Sequence, residues 1–190
     1  MKVSAAETLD ILRSCGAFLE GHFLLSSGRH SGVYVEKFRL LEHPEITAQF
    51  ATKIADHFRD APLDLVVGPL TGGVLVAHEV AKYLDLPIAF PERVDGTMQW
   101  RRGFSIRPGQ RVLVCEDVIT TGKSVSEVVE AVHREQGIVV GIGTLIQRGD
   151  AELKHEPFAV VRLNLETYAP DSCPLCAKQV PLEKRGSRTQ

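Results

Sequence analysis

The stretch Arg111-Val112-Leu113-Val114-Cys115-Glu116-Asp117-Val118-Ile119-Thr120-Thr121-Gly122-Lys123-Ser124 decides how this chain reads. Arg111 to Cys115 is strongly β-branched and predicts a short buried strand. Two adjacent acids, Glu116 and Asp117, are expected to leave that strand. Two hydroxyls, a glycine and another hydroxyl lead into a helix, because Val125, Val128, Val129 and Val132 stand at i, i+3, i+4 and i+7. Successive backbone N–H groups in a Gly-containing turn, backed by a helix N-terminus, form an anion site. Thr120, Thr121 and Ser124 add hydroxyl donors, so the turn is expected to cradle one phosphate group. Plain helix capping accounts for Ser124-Val125-Ser126-Glu127 as a capping box. It gives no reason for Glu116 and Asp117, which are expected to point into the same crevice.

Around this stretch, strand and helix patterns alternate. Ser4-Ala5-Ala6-Glu7 reads as a capping box opening a first helix. Pro44 to Arg59 carries Ile46, Phe50, Ile54 and Phe58 at i+4 steps, an amphipathic helix. Asp64 to Val67 is a short strand stopped by Gly68-Pro69, and Gly73 to Leu84 a helix. Pro87 to Phe90, Ile138 to Ile146 and Phe158 to Leu163 are further strands. Continuous apolar strands alternating with helices predict an α/β fold with a mainly parallel sheet covered on both faces. Ligands of such sheets gather at the carboxyl ends of the strands.

Composition narrows the class. The 190 residues, 44% hydrophobic and 24% charged, suffice for one domain with a real core. A net charge of -2 argues against a general binder of nucleic acid or of a membrane surface. The N-terminus lacks an apolar signal region, and no apolar run approaches the ~18–20 residues that span a bilayer. Four cysteines form no disulfide framework. The expectation is a cytoplasmic protein in a reducing setting.

Two phosphate motifs are excluded. Gly122-Lys123-Ser124 matches the end of a Walker A loop, but that motif needs Gly where Asp117 stands. Gly141-Ile142-Gly143 lacks the third Gly of a dinucleotide fingerprint, and no helix opens there. Carboxylates repel phosphates but accept hydrogen bonds from sugar hydroxyls. A phosphate cradle beside two acids therefore suits a ribose 5-phosphate.

The run Val112 through Ser124 resembles the phosphoribosyl-diphosphate (PRPP) signature of type I phosphoribosyltransferases, with Glu116 where the family often has a second Asp. Phe23-Leu24-Leu25-Ser26-Ser27-Gly28-Arg29-His30-Ser31-Gly32-Val33-Tyr34 is similar to the N-terminal segment of orotate phosphoribosyltransferases, although by itself it also reads as a polar hairpin. Gly68-Pro69-Leu70-Thr71-Gly72-Gly73 resembles the family's diphosphate loop, and Arg148 matches its nucleobase-contacting arginine. The resemblance runs through about Asp171.

It implies a type I phosphoribosyltransferase-like fold in a single domain, 1–190. About 1–40 would form a small hood, and about 178–190 a polar tail. It implies PRPP and orotate as substrates, with Glu116, Asp117, Val118, Ile119, Thr120, Thr121, Gly122, Lys123, Ser124, Leu70, Thr71, Gly72 and Arg93 on PRPP. Asp117, Glu116 and Arg93 would be catalytic, and Thr120, Arg148 and Tyr34 would meet orotate. Mg2+ would come with PRPP, with no protein ligand of its own, and the enzyme would be a homodimer with a shared active site. Transfer to another nucleobase and a non-catalytic PRPP-sensing regulator are the alternatives.

Some positions depart from the family pattern. Ser26 stands where members often have Lys, and Gly72 where many have Lys. Glu92 to Gly103, in the place of a flexible loop that reaches a partner subunit, has neither His nor Lys, so Arg93 is expected to take over a loop cation's role, with Arg101 and Arg102 as candidates for others. Cys173-Pro174-Leu175-Cys176 has zinc-knuckle spacing, but no second ligand pair is legible, and a reduced C-terminal turn explains it as well. Cys15 and Cys115 read as core residues, and the seven histidines show no metal spacing.

Overall fold

Helix α1 (Ala5–Ser14) precedes an antiparallel pair, β1 (Phe18–Leu24) and β2 (His30–Val35), in the computed structural model, which describes residues 5–149, 151 and 153–185. Ser4, expected to cap α1, lies outside the described residues. Next come α2 (Lys37–Leu41), α3 (Pro44–Phe58), β3 (Leu65–Val67), α4 (Gly72–Leu84) and β4 (Ile88–Ala89). The hairpin β5 (Pro91–Val94) and β6 (Thr97–Trp100) leads to β7 (Arg111–Ile119), α5 (Lys123–Arg134), β8 (Ile138–Arg148) and β9 (Phe158–Leu163). The chain closes with β10 (Thr167–Tyr168), α6 (Pro174–Ala177) and β11 (Glu183–Lys184). Among the described residues no helix is long and apolar enough to cross a membrane.

The chain forms two compact units, 41–163 and 1–40 with 164–190. In the larger one, a five-stranded sheet has the order β4-β3-β7-β8-β9, every pairing parallel. Helix α3 packs on β8 and β9, and α4 on β3 and β7. Gly141 and Gly143 of β8 make room for this layer: a Cβ on either would meet Phe58 at 2.3 Å or Ile54 at 2.4 Å. Helix α5 buries Val125, Val128 and Val132 against Val112 and Val114. The expected parallel sheet with helices on both faces is what forms.

Chain order reverses between β3 and β7, since β4 lies on one side of β3 and β7 to β9 on the other. Such a switch point opens a crevice at the strands' carboxyl ends. At the amino-terminal ends of β3 and β7, Arg111 and Asp64 fasten the strand starts. Arg111 Nε donates to Asp64 Oδ2 at 2.9 Å and Nη2 to Oδ1 at 2.6 Å, and the Asp64 N–H bonds the Arg111 carbonyl at 2.8 Å. The guanidinium holds the Asp64 carboxyl well below the usual carboxylate range.

The smaller unit is a sheet of order β10-β2-β1-β11. Its outer strands come from the C-terminal segment: β10 pairs antiparallel with β2, and β11 parallel with β1. The sequence reading gave this unit to 1–40 alone, and Glu183–Lys184 of the expected polar tail is one of its strands.

Candidate active site

Strand β7 continues past the apolar run. Glu116 and Asp117 do not leave it: they remain paired to β8, with Glu116 opposite Thr144 and Val118 opposite Ile146. Their side chains are buried, at 6% and 2% exposure. Strand alternation sends their Cβ atoms to opposite faces, yet both carboxylates reach the turn that opens α4. Asp117 Oδ2 lies 1.7 Å from where a Cβ on Gly72 would stand, and Glu116 Oε1 lies 2.9 Å from the same point on Gly73. The Asp117 N–H donates to Glu116 Oε1 at 3.0 Å, and the Val118 N–H to Asp117 Oδ1 at 2.5 Å. Only glycines fit at 72 and 73 without displacing the acids. The Leu70–Thr71 peptide is cis, and Leu70 and Thr71 are exposed beside these glycines.

Beyond β7, Thr120, Thr121 and Lys123 are exposed and Ser124 is partly buried. Gly122 caps α5 with φ 76° and has no side chain to bond the helix. The Ser124-to-Glu127 capping box therefore does not form: Ser124 is already inside the first turn, and Glu127 pairs with Arg93. The first N–H groups of a helix have no intrahelical partner, which is what an anion site needs; here the Lys123 N–H donates to Thr121 Oγ1 at 3.5 Å. A positive φ at Gly122 disfavours any side chain, and a Cβ there would also meet Leu153 at 2.8 Å.

Arg148 ends β8, beside the end of β7. Three adjacent strand ends thus carry the Gly68–Gly73 turn, the Glu116–Ser124 run and Arg148. Tyr34 belongs to the smaller unit, in β2, with its ring 5.6 Å from that of Phe23. The Ser-Gly-Arg segment is a hairpin turn: the Leu25 N–H bonds the Arg29 carbonyl at 2.9 Å, and Arg29 donates to Thr167 Oγ1 at 2.8 Å.

The segment expected to be a flexible loop is a hairpin. Asp95 and Gly96 turn it with φ 48° and 80°, the geometry of an Asp-Gly two-residue turn. Met98 is buried, Trp100 Nε1 donates to the Ala131 carbonyl at 3.2 Å, and Arg134 donates to the Met98 carbonyl. Apolar contacts with α5 outweigh the polar composition that suggested mobility. Arg93 donates to Glu127 and to the Gly96 carbonyl, and Arg102 donates to Glu92. Arg93 is thereby held next to the first turn of α5.

Cys115 is fully buried, and burial with the neighbouring Glu116 pushes its thiol far up. It is no nucleophile at neutral pH.

Comparison with known proteins agrees with this geometry. The model of the phosphoribosyl transferase domain matches residues 38–175. An orotate phosphoribosyltransferase of Desulforamulus reducens is 46% identical over 184 residues, covering 96% of each chain. One of Chlorobium phaeobacteroides is 44% identical over 182 residues, covering 95% of this chain and 94% of that protein. The crystal structure of orotate phosphoribosyltransferase from Aeropyrum pernix superposes with a TM-score of 0.68 at 27% identity, over 81% of this chain and 92% of that one. That of Mycobacterium tuberculosis, in complex with Fe(III) dicitrate, gives 0.68 at 25% identity over 84% and 96%. The chain belongs to the phosphoribosyltransferase family, among its orotate phosphoribosyltransferase members.

Proposed function

We propose that this chain transfers the phosphoribosyl group of PRPP to N1 of orotate, giving orotidine 5'-phosphate and diphosphate, a step of pyrimidine biosynthesis. The observation that carries the reading is the buried pair Glu116 and Asp117, set between the Gly72-Gly73 turn and the N-terminus of α5 in a chain with these relatives.

The bond from ribose C1 to diphosphate breaks as N1 of orotate bonds to C1. Positive charge builds on the ribose ring between these events, so no protein nucleophile is needed. Glu116 and Asp117 accept hydrogen bonds from the ribose 2'- and 3'-hydroxyls and place negative charge beside the ring. The turn from Thr120 to Ser124, which Val118 and Ile119 lead into, holds the 5'-phosphate through backbone N–H groups and the hydroxyls of Thr120, Thr121 and Ser124, and Lys123 adds charge. Leu70, Thr71 and Gly72 present the α4 turn to the diphosphate. Arg93 exchanges its Glu127 partner for the leaving diphosphate. Arg148 and Thr120 meet the acceptors of orotate. Mg2+, brought with PRPP, would supply positive charge at the diphosphate, and the hard carboxylate oxygens of Glu116 and Asp117 suit a site that receives it. The family resemblance further supports a cytoplasmic homodimer with a shared active site.

A panel of orotate, uracil, adenine, hypoxanthine and guanine with Mg2+ and PRPP tests the reading through diphosphate release. Turnover is expected with orotate alone. Arg148→Ala should raise the KM for orotate far more than that for PRPP, because a planar guanidinium suits a carboxylate and ring carbonyls. Turnover of a purine instead would assign another base. PRPP binding with no turnover of any base would make the chain a sensor.

A further inference from the structure

The sequence offered one ligand pair, Cys173 and Cys176, and no second. The fold supplies it. His22 of β1 and His30 of β2 meet both cysteines, and one ligand atom from each of the four residues lies within 4.8 Å of all the others. We propose that these four residues bind a structural zinc ion.

The contacts have the proportions of a coordination shell. His22 Nε2 is 2.9 Å from His30 Nδ1, 3.5 Å from Cys173 Sγ and 3.8 Å from Cys176 Sγ. Cys176 Sγ is 3.3 Å from His30 Nδ1. A tetrahedron with Zn–N of about 2.0 Å and Zn–S of about 2.3 Å has edges of roughly 3.3–3.8 Å. Small side-chain adjustments bring all four atoms to that shell.

Local structure aims the ligands. Three steps along β1, Glu20 to Phe23, face two along β2, Val33 to Ser31, so β1 bulges at Gly21-His22. A bulge re-aims a side chain, and His22 turns inward to 2% exposure. His22 Nδ1 lies 2.8 Å from the Val180 carbonyl, which can only accept. Nδ1 therefore carries the proton, and Nε2 faces the cluster with its lone pair. A carbonyl that accepts from the ring's other N–H commonly orients a zinc-bound histidine. Cys173 and Cys176 flank one short turn, in which the Ala177 N–H bonds the Cys173 carbonyl at 3.1 Å.

The donor set selects the ion. Two thiolates and two neutral imidazoles suit zinc and not magnesium. Two thiolates also cancel its charge, which favours a site where His22, His30 and Cys173 are all buried. Four protein ligands leave no position for a substrate, so the role is structural. The ion would tie the β1–β2 pair to a segment 146 residues away in sequence. The cluster shares no residue with the phosphate-binding run, and the proposal stands whether or not the PRPP reading does.

Metal analysis of the full chain, purified without chelator from zinc-supplied cells, tests the proposal. About one zinc per chain is expected, as for a single four-ligand site. Cobalt exchange should give the ligand-field and thiolate charge-transfer bands of a tetrahedral Cys2His2 site. Cys173→Ser and His22→Ala should each lose the zinc, whereas Cys15→Ser keeps it. A folded wild-type chain with no zinc and no thiolate–cobalt band would overturn the proposal, even if the ligand variants fail to fold. So would a Cys173–Cys176 disulfide as the isolated state.

Discussion

The carboxylate of Asp117 fills the place where Gly72 would carry a side chain, with Oδ2 1.7 Å from the ideal Cβ position. The acid that ends one strand and the turn that opens the neighbouring helix therefore constrain each other. Gly72→Ala should push Asp117 aside. Overpacking of about 1–3 kcal/mol corresponds to a Tm lower by roughly 2–10 °C. PRPP affinity should fall at least about tenfold, the equivalent of 1.4 kcal/mol. Adding Asp117→Gly should recover the Tm but not the activity. Unchanged PRPP affinity in Gly72→Ala, by calorimetric titration, would break the link.

Acid stability should depend on Asp64, beside the amino-terminal end of β3. Its folded-state carboxyl is held low, first by the Arg111 side-chain hydrogen bond and then by the Arg111 backbone N–H. A depressed carboxyl stabilises the fold above its unfolded value of about 3.9, and that contribution disappears as pH falls through the lower folded value. Wild type should have a higher Tm than Asp64→Asn at pH 7, and the gap should close as the pH drops below about 4. Thermal melts of both proteins across pH measure this. A gap independent of pH would assign the effect to shape alone.

Subunit sharing is testable by complementation. Arg93 is held on α5 by Glu127 and must exchange that partner to act on diphosphate. Arg93→Ala and Asp117→Asn chains would each be weak alone. If a site takes Arg93 from one subunit and Asp117 from the other, each mixed dimer has one intact site. A random one-to-one mixture should then regain about a quarter of wild-type activity, as two-fold symmetry dictates. No recovery would mean sites built within one chain.

Legibility varied with the physical origin of each feature. Val112 to Cys115 read as a strand because β-branched composition is a local signal. Glu116 and Asp117 did not, because acids argue against a buried strand, and what keeps them there is the β7–β8 ladder, which pairs Glu116 with Thr144 and the following Val118 with Ile146. Ser124 to Glu127 also fits a capping box locally, but the helix starts earlier, at the positive φ of Gly122. The Glu92–Gly103 segment read as mobile from its charges, although Asp95-Gly96 is a hairpin signal; burial of Met98 and the bond from Trp100 hold it. His22 and His30 gave no metal signal, since a bulge and chain separations of 154 and 146 residues lie behind their meeting with Cys176.

Asp117 and Gly122 should fail in different ways if the run between them divides its labour as proposed. Asp117→Asn keeps the shape near Gly72 but weakens the acceptor, since charge-assisted hydrogen bonds are roughly twice as strong as neutral ones. The lost charge matters most when the ribose ring is cationic, so the transition state suffers more than the bound substrate. The expected result is a kcat lower by roughly 10–1000-fold, the equivalent of ~1.4–4 kcal/mol, with a smaller change in the KM for PRPP. Gly122→Val puts a β-branched residue at φ 76° and its Cβ 2.8 Å from Leu153. A left-handed β-branched residue is a genuine outlier, so the cap of α5 must shift and the phosphate cradle with it. Binding of Mg2+ and PRPP should collapse in this variant while circular dichroism shows the fold intact. Calorimetry of both variants beside steady-state kinetics separates the roles. Near-normal kcat in Asp117→Asn, or normal PRPP binding in Gly122→Val, would reduce the run from Glu116 to Ser124 to a strand end and a helix start.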